Sequence, residues 1–253
     1  MKPLIAASTA AALAALGIYH LVNIYNATCN APIHQIISSY SIPDSFAQSK
    51  GVKIANPDDH VTINDTRHIT IRVSKTISDE EILARFVKGF FGGHVLAIER
   101  GLLKAKNKEL TDLQALSTTP VSSKIWSKAQ LSTHKLPPLH ALIFGVWRLV
   151  ESQVEAGPPS QPHLGPSSHV DFVFGWNDGF IAGIHRFSVI RADNEAKPDT
   201  NHDSTTNVTI EYAHTSCNPK ENKPLKPDAL MTLHMWYALL LFREGVGEVL
   251  KAQ

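Results

Sequence analysis

The chain predicts an α+β protein in which an antiparallel sheet wraps around a long C-terminal helix, preceded by an N-terminal transmembrane helix. Three observations carry that expectation. Residues 60–75, "HVTINDTRHITIRVSK", and 207–219, "NVTIEYAHTSCNP", alternate apolar and polar positions as half-buried strands do. Residues 170–192 hold two apolar runs on either side of "WNDG", a strong hairpin signal. Ala229–Phe242 is an uninterrupted apolar stretch but for one histidine and one threonine, too short for a bilayer and suited to a helix gripped by a sheet. The implied organisation is an anchor over residues 1–27, a stalk or lead-in over 28–59, and one α+β domain over 60–253.

At 253 residues the chain can bury one good core with an anchor to spare. Its 43% apolar and 19% charged residues exclude extensive disorder. A net charge of +1 without a concentrated basic face excludes nucleic acid as a partner, because neutralising phosphates requires clustered Lys and Arg.

Pro3 to Tyr25 carries no charged residue, and at helical rise it is long enough to cross the ~30 Å hydrocarbon core of a membrane. Lys2 precedes the run and the next Lys or Arg is Lys50, so the charge bias holds the N-terminus in the cytosol and sends the body into the secretory lumen. A cleaved signal peptide is the rival reading. Ala12 and Ala14 form an A-x-A-like site, but cleavage there leaves "ALGIYHLVNIY" on the mature protein. The triplets beginning at Asn64 and Asn207 are the expected glycosylation acceptors, a third at Asn26 lying too close to the membrane. In an oxidising lumen Cys29 and Cys217 either form one long-range bridge or stay apart in stalk and body; spacing alone leaves both open.

Turn formers in "APIHQ", "SIPDS" and "ANPDD" mark residues 30–58 as loosely packed. In the strand that follows, Ile69, Ile71 and Val73 share one face. Ser78 and Glu81 fit a capping box, opening a helix whose apolar face is Ile82, Leu83, Phe86, Val87, Phe90 and Phe91. Gly92-Gly93 should bend or end it before helical spacing resumes to about residue 106. Residues 107–139 read as loop with a short helix, 142–156 as one strand, and the proline-rich 157–168 as a loop. Residues 193–206 form a polar loop.

The blocks "FGVWRLVE", "HVDFVFG", "GIHRFSVI" and "VTIEYAHT" with the helix "LHMWYALLLFREGV" give an element order that resembles the START-like (helix-grip) superfamily over about residues 60–251. The body also looks like membrane-anchored proteins of filamentous fungi that bring no established activity. The SnoaL-like cone-shaped fold is a second likeness, weakened because this chain ends on a helix. The helix-grip likeness implies an apolar cavity between sheet and helix, and ligands such as lipids or polyketides.

Catalytic signatures are absent: no G-x-S-x-G, H-E-x-x-H, P-loop or strand-borne G-x-G-x-x-G occurs. Neither metal nor cofactor is expected. Strand parity is what remains. Ile181, Gly183, His185, Phe187 and Val189 share a face; so do Val208, Ile210, Tyr212 and His214; Leu230, His234, Tyr237 and Leu241 line one helical stripe. In a helix-grip fold these faces converge, placing His185, His214, His234, Tyr212 and Tyr237 about one interior suited to acid–base work on a carbonyl compound. Taken singly, each histidine is more simply a hydrogen-bonded core group. Glu211 and Arg186 are expected to pair across strands, and Arg243-Glu244 to form a solvated or sheet-edge pair. The function expected is a membrane-anchored, lumen-facing protein that binds an apolar small molecule, with cofactor-independent cyclisation or isomerisation of a secondary-metabolite intermediate as its chemistry. The alternative is a non-catalytic lipid carrier or structural membrane glycoprotein.

Overall fold

A computed structural model describes residues 2–154, 168–191 and 204–252. In chain order the elements are α1 (Lys2–Thr28), β1 (Ile37–Ser39), α2 (Asp44–Ala47), α3 (Lys50–Ala55), β2 (Thr62–Ser74), α4 (Asp79–Gly92), α5 (Ala97–Lys106), β3 (Lys124–Ile125), β4 (Leu142–Ile143), β5 (Trp147–Gln153), β6 (Ser168–Gly175), β7 (Ala182–Arg191), β8 (Thr205–Cys217) and α6 (Asp228–Leu250). The strands form one sheet in the order β1-β2-β8-β7-β6-β5-β4-β3, antiparallel except for the short β3–β4 pair. The loops expected at 157–168 and 193–206 fall almost wholly outside the described residues.

The sheet is buried on both faces. Ile69, Val73, Val170, Phe172, Phe187, Val189, Val208, Ile210 and Tyr212 meet Phe86 and Phe90 of α4 and Phe242 of α6. On the outer face Val150, Val173, Ala182, Ile184 and Ala213 meet Phe46, Ile54 and Ala55 from α2 and α3. The expected stalk is therefore a third layer: Ala31 and Phe46 are fully buried. Its turn-rich sequence hid the apolar residues that cover the sheet.

Ser78 caps α4 as expected, its hydroxyl accepting from the Glu81 amide at 3.2 Å. The single strand expected over 142–156 is broken instead. Phe144 (φ 51°) and Gly145 (φ 75°) turn the chain between β4 and β5, and a Cβ on Gly145 would lie 2.4 Å from the Lys108 carbonyl oxygen. Arg243 and Glu244 are not a solvated pair. Arg243 donates from Nε to Ala31 O (2.7 Å) and from an Nη to Thr28 O (3.0 Å), fastening the end of α1. Glu244 is buried and accepts from the amides of His94 and Val95, ahead of α5. Arg186 pairs with Asp171 rather than Glu211, through two hydrogen bonds of 2.7 Å, because β6 places Asp171 directly opposite it.

Cys29 and Cys217 are both free thiols. Cys29 is exposed at the end of α1, beside the segment that Arg243 holds, whereas Cys217 is buried against Ala55 at the end of β8. Burial pushes the Cys217 thiol up to about 11. Of the two acceptor asparagines, Asn207 is exposed; Asn64 is half-buried in β2 with its side-chain oxygen out of solvent. Among the described residues no helix is long and apolar enough to cross a membrane.

Candidate functional site

Register brings the predicted residues together. His185 of β7 lies directly opposite His214 of β8, and Tyr212 opposite Phe187. These positions point to the same side because strand side chains alternate with a period of two. The Tyr212 hydroxyl and His214 Nδ1 each lie 3.1 Å from His185 Nδ1, and His214 Nε2 lies 3.2 Å from the Ser216 hydroxyl. His185 Nδ1 has a single lone pair, so with neutral rings it accepts from Tyr212 or from His214 Nδ1–H but not fully from both, while Ser216 can donate to His214 Nε2. His234 joins from α6, its ring centroid 5.4 Å from that of His214. Tyr237 does not join. Its hydroxyl donates to Glu99 of α5 at 2.9 Å.

Burial dominates the electrostatics here. It depresses His185 to about 3, helped by His234, and holds His214 well below the usual imidazole range, helped by His185 and His234. His234 is lowered by burial and then by Arg67; Tyr212 is raised by burial and then by Asp65. His185, Tyr212 and His214 stack among Phe90, Phe174 and Phe187. His185 and His214 are buried within the sheet, whereas His234 is half-buried on α6.

The groups that reach open space are on β2. Asp65 pairs in register with His214, and Arg67 with Tyr212. The two form a buried ion pair in which an Arg67 Nη donates to an Asp65 carboxylate oxygen. The other Nη donates to Met235 O of α6 at 2.9 Å, while the buried Nε–H has no partner. The Arg67 guanidinium carbon lies 5.8 Å from the Tyr212 ring centroid, which ties the pair to the aromatic cluster behind it. Burial lifts the Asp65 carboxyl to about 6 against the opposing pull of Arg67.

Asp65 and Arg67 form part of the wall of a groove of about 530 Å³ between β1–β2 and α6. Ile63, Met231, Met235 and Leu239 give it an apolar lining, Ser38 and Ser39 a polar edge, and Tyr40 and Trp236 an exposed aromatic rim. Its size is within the range of small-molecule sites. Sequence parity pointed to the histidines and passed over Asp65 and Arg67. The signal was available: both stand in phase with Ile69, Ile71 and Val73, so an apolar face carries two charges. The chain matches no protein-family model and no curated protein sequence.

Proposed function

We propose that this protein, tethered to a membrane with its body in the secretory lumen, binds an apolar small molecule in the groove between β2 and α6, as a START-like helix-grip domain would. The observation that carries this reading is an apolar groove with a buried acid–guanidinium pair in its wall. A buried charged pair with an unpartnered Nε–H is costly for stability alone, and a ligand acceptor would offset that cost. The helix-grip likeness is supported by the sheet order, which sets the first long strand beside the last, and by α6 following β8. The anchor is supported by the uncharged run behind Lys2 and by exposed Leu16, Ile18, Tyr19, Leu21 and Tyr25 along α1. Exposed Asn207 suits a luminal glycan.

The test is titration of the purified full chain with the apolar fluorophore 1-aminoanthracene. Saturable binding is expected, and filling the groove by Met235→Trp should weaken it at least tenfold, about 1.4 kcal/mol. Binding untouched by both Met235→Trp and Leu239→Trp would sink the proposal.

Catalysis is the second reading, favoured by one feature: a carboxyl near 6 on the groove wall is poised for acid–base work near neutral pH. Asp65, not the buried His185 and His214, would then shuttle the proton in a cofactor-independent isomerisation or cyclisation. Asp65→Asn should keep fluorophore binding while abolishing any turnover.

A further inference from the structure

On the opposite face of the sheet, away from the groove, β5 and β6 carry a second cluster. Glu151 lies opposite Asp171, and His169 stands two residues before Asp171 on the same face. A β-bulge makes this possible. The register slips between Leu149 and Glu151, so Val150 packs into the outer-face core and Glu151 also turns outward. Had the Leu149–Phe172 register continued without the slip, Glu151 would oppose Val170 and point to the inner core.

Donor atoms of Glu151, His169 and Asp171 all lie within 4.8 Å of one another. His169 is 7% exposed and its Nε2 has no hydrogen-bond partner; the Ser188 hydroxyl beside it is likewise buried without one, while a Glu151 carboxylate oxygen has no hydrogen bond and only a loose ion pair, 3.9 Å from an Arg186 Nη. Polar atoms left without hydrogen bonds at one spot are unusual, since buried polar groups are nearly always bonded.

We propose that Glu151, His169 and Asp171 bind a divalent ion of the zinc type. A tetrahedral ion about 2.1 Å from each donor would place donors about 3.4 Å apart. His169 Nε2 and Glu151 Oε1 already stand 3.5 Å apart, and an Asp171 carboxylate oxygen lies within 4.8 Å of both ligand atoms. Arg186 is compatible with the ion. It uses two of the four lone-pair directions of Asp171 and orients the carboxylate, as outer partners of metal ligands do. The two carboxylates, the neutral imidazole and the guanidinium sum to one negative charge, which attracts a divalent cation. One coordination position is left for water, as in zinc sites that do chemistry rather than only hold structure.

The experiment uses the full chain in detergent, stripped with a chelator. Co²⁺ and Zn²⁺ titrations by calorimetry and visible absorption should give one equivalent, with the d–d bands of a low-coordinate cobalt ion. His169→Gln and Glu151→Gln should each weaken binding at least tenfold, the lower end for disturbed metal sites. X-ray absorption on the zinc-loaded parent needs no variant and should report a single imidazole with oxygen donors. Failure to bind one equivalent, sulfur or a second imidazole in the shell, or affinity unchanged in both variants would overturn the proposal. Fluorophore binding in the groove should be the same with and without zinc, which keeps this test separate from that of the groove.

Discussion

Asp65 and the three clustered histidines respond to pH with opposite signs. Asp65 is raised to about 6 from an ordinary 3.8, so the folded state holds its proton more tightly than the unfolded chain. Its contribution is complete below the unfolded value and is lost as pH rises through about 6. His185 is depressed to about 3 from 6.5, so the unfolded chain takes up the proton first, and stability is lost as pH falls below 6.5. Between about pH 7 and 5, linkage gives a loss of about 2 kcal/mol for His185 and a gain of about 1 kcal/mol for Asp65. His214 and His234 are depressed as well, so the histidines prevail. The melting temperature should therefore fall on acidification from pH 7 to 5. Asp65→Asn, which removes the opposing term, should make the fall steeper. A flat or rising profile in the parent would mean the histidines are not held neutral in the core.

Glycines decide how closely the helices approach. A Cβ on Gly89 of α4 would lie 2.6 Å from Glu244 O and 2.8 Å from Gly245 Cα of α6, both backbone atoms that cannot step aside. Gly101 of α5 has nothing within 4 Å. Alanine normally gains about 1 kcal/mol over glycine within a helix. Gly101→Ala should realise that gain, whereas Gly89→Ala should lose ~1–3 kcal/mol through overpacking. Urea midpoints moving in opposite directions, with unchanged slopes, would confirm that the α4–α6 contact needs a bare backbone. Glu244 belongs to the same junction, since its carboxylate accepts the His94 and Val95 amides of the turn between α4 and α5.

For the molecule as a whole, the anchor proposal rests on the N-terminal helix. Arg243 fastens its last turn to the body, while most of its large side chains from Leu16 to Tyr25 face outward. An exposed apolar helix of this kind needs a lipid or protein partner. A C-terminally tagged protein should stay in the pellet on carbonate extraction. Release into the supernatant, with a mature start beyond residue 14, would end the anchor proposal. The same preparation should lose mass with a glycosidase, and Asn207→Gln should remove that loss.

Periodicity alone determined the α+β class, the long strands β2, β6, β7 and β8, the Ser78 cap and the closing helix, because each is a local preference written into neighbouring residues. Periodicity also assigned His185, Tyr212 and His214 to one face, and register then made them neighbours. Four matters needed the folded chain. Whether the cluster is reachable depends on what packs over it, and the phenylalanines of α4 seal it. Tyr237 shares a helical stripe with His234, but its hydroxyl is claimed by Glu99, which α5 brings from far away in sequence. Residues 42–55 form a layer only because the outer face of the sheet needs covering. Glu151 reaches His169 and Asp171 because a bulge shifts strand parity by one, and a bulge arises from how two strands pair, which no single strand's sequence records.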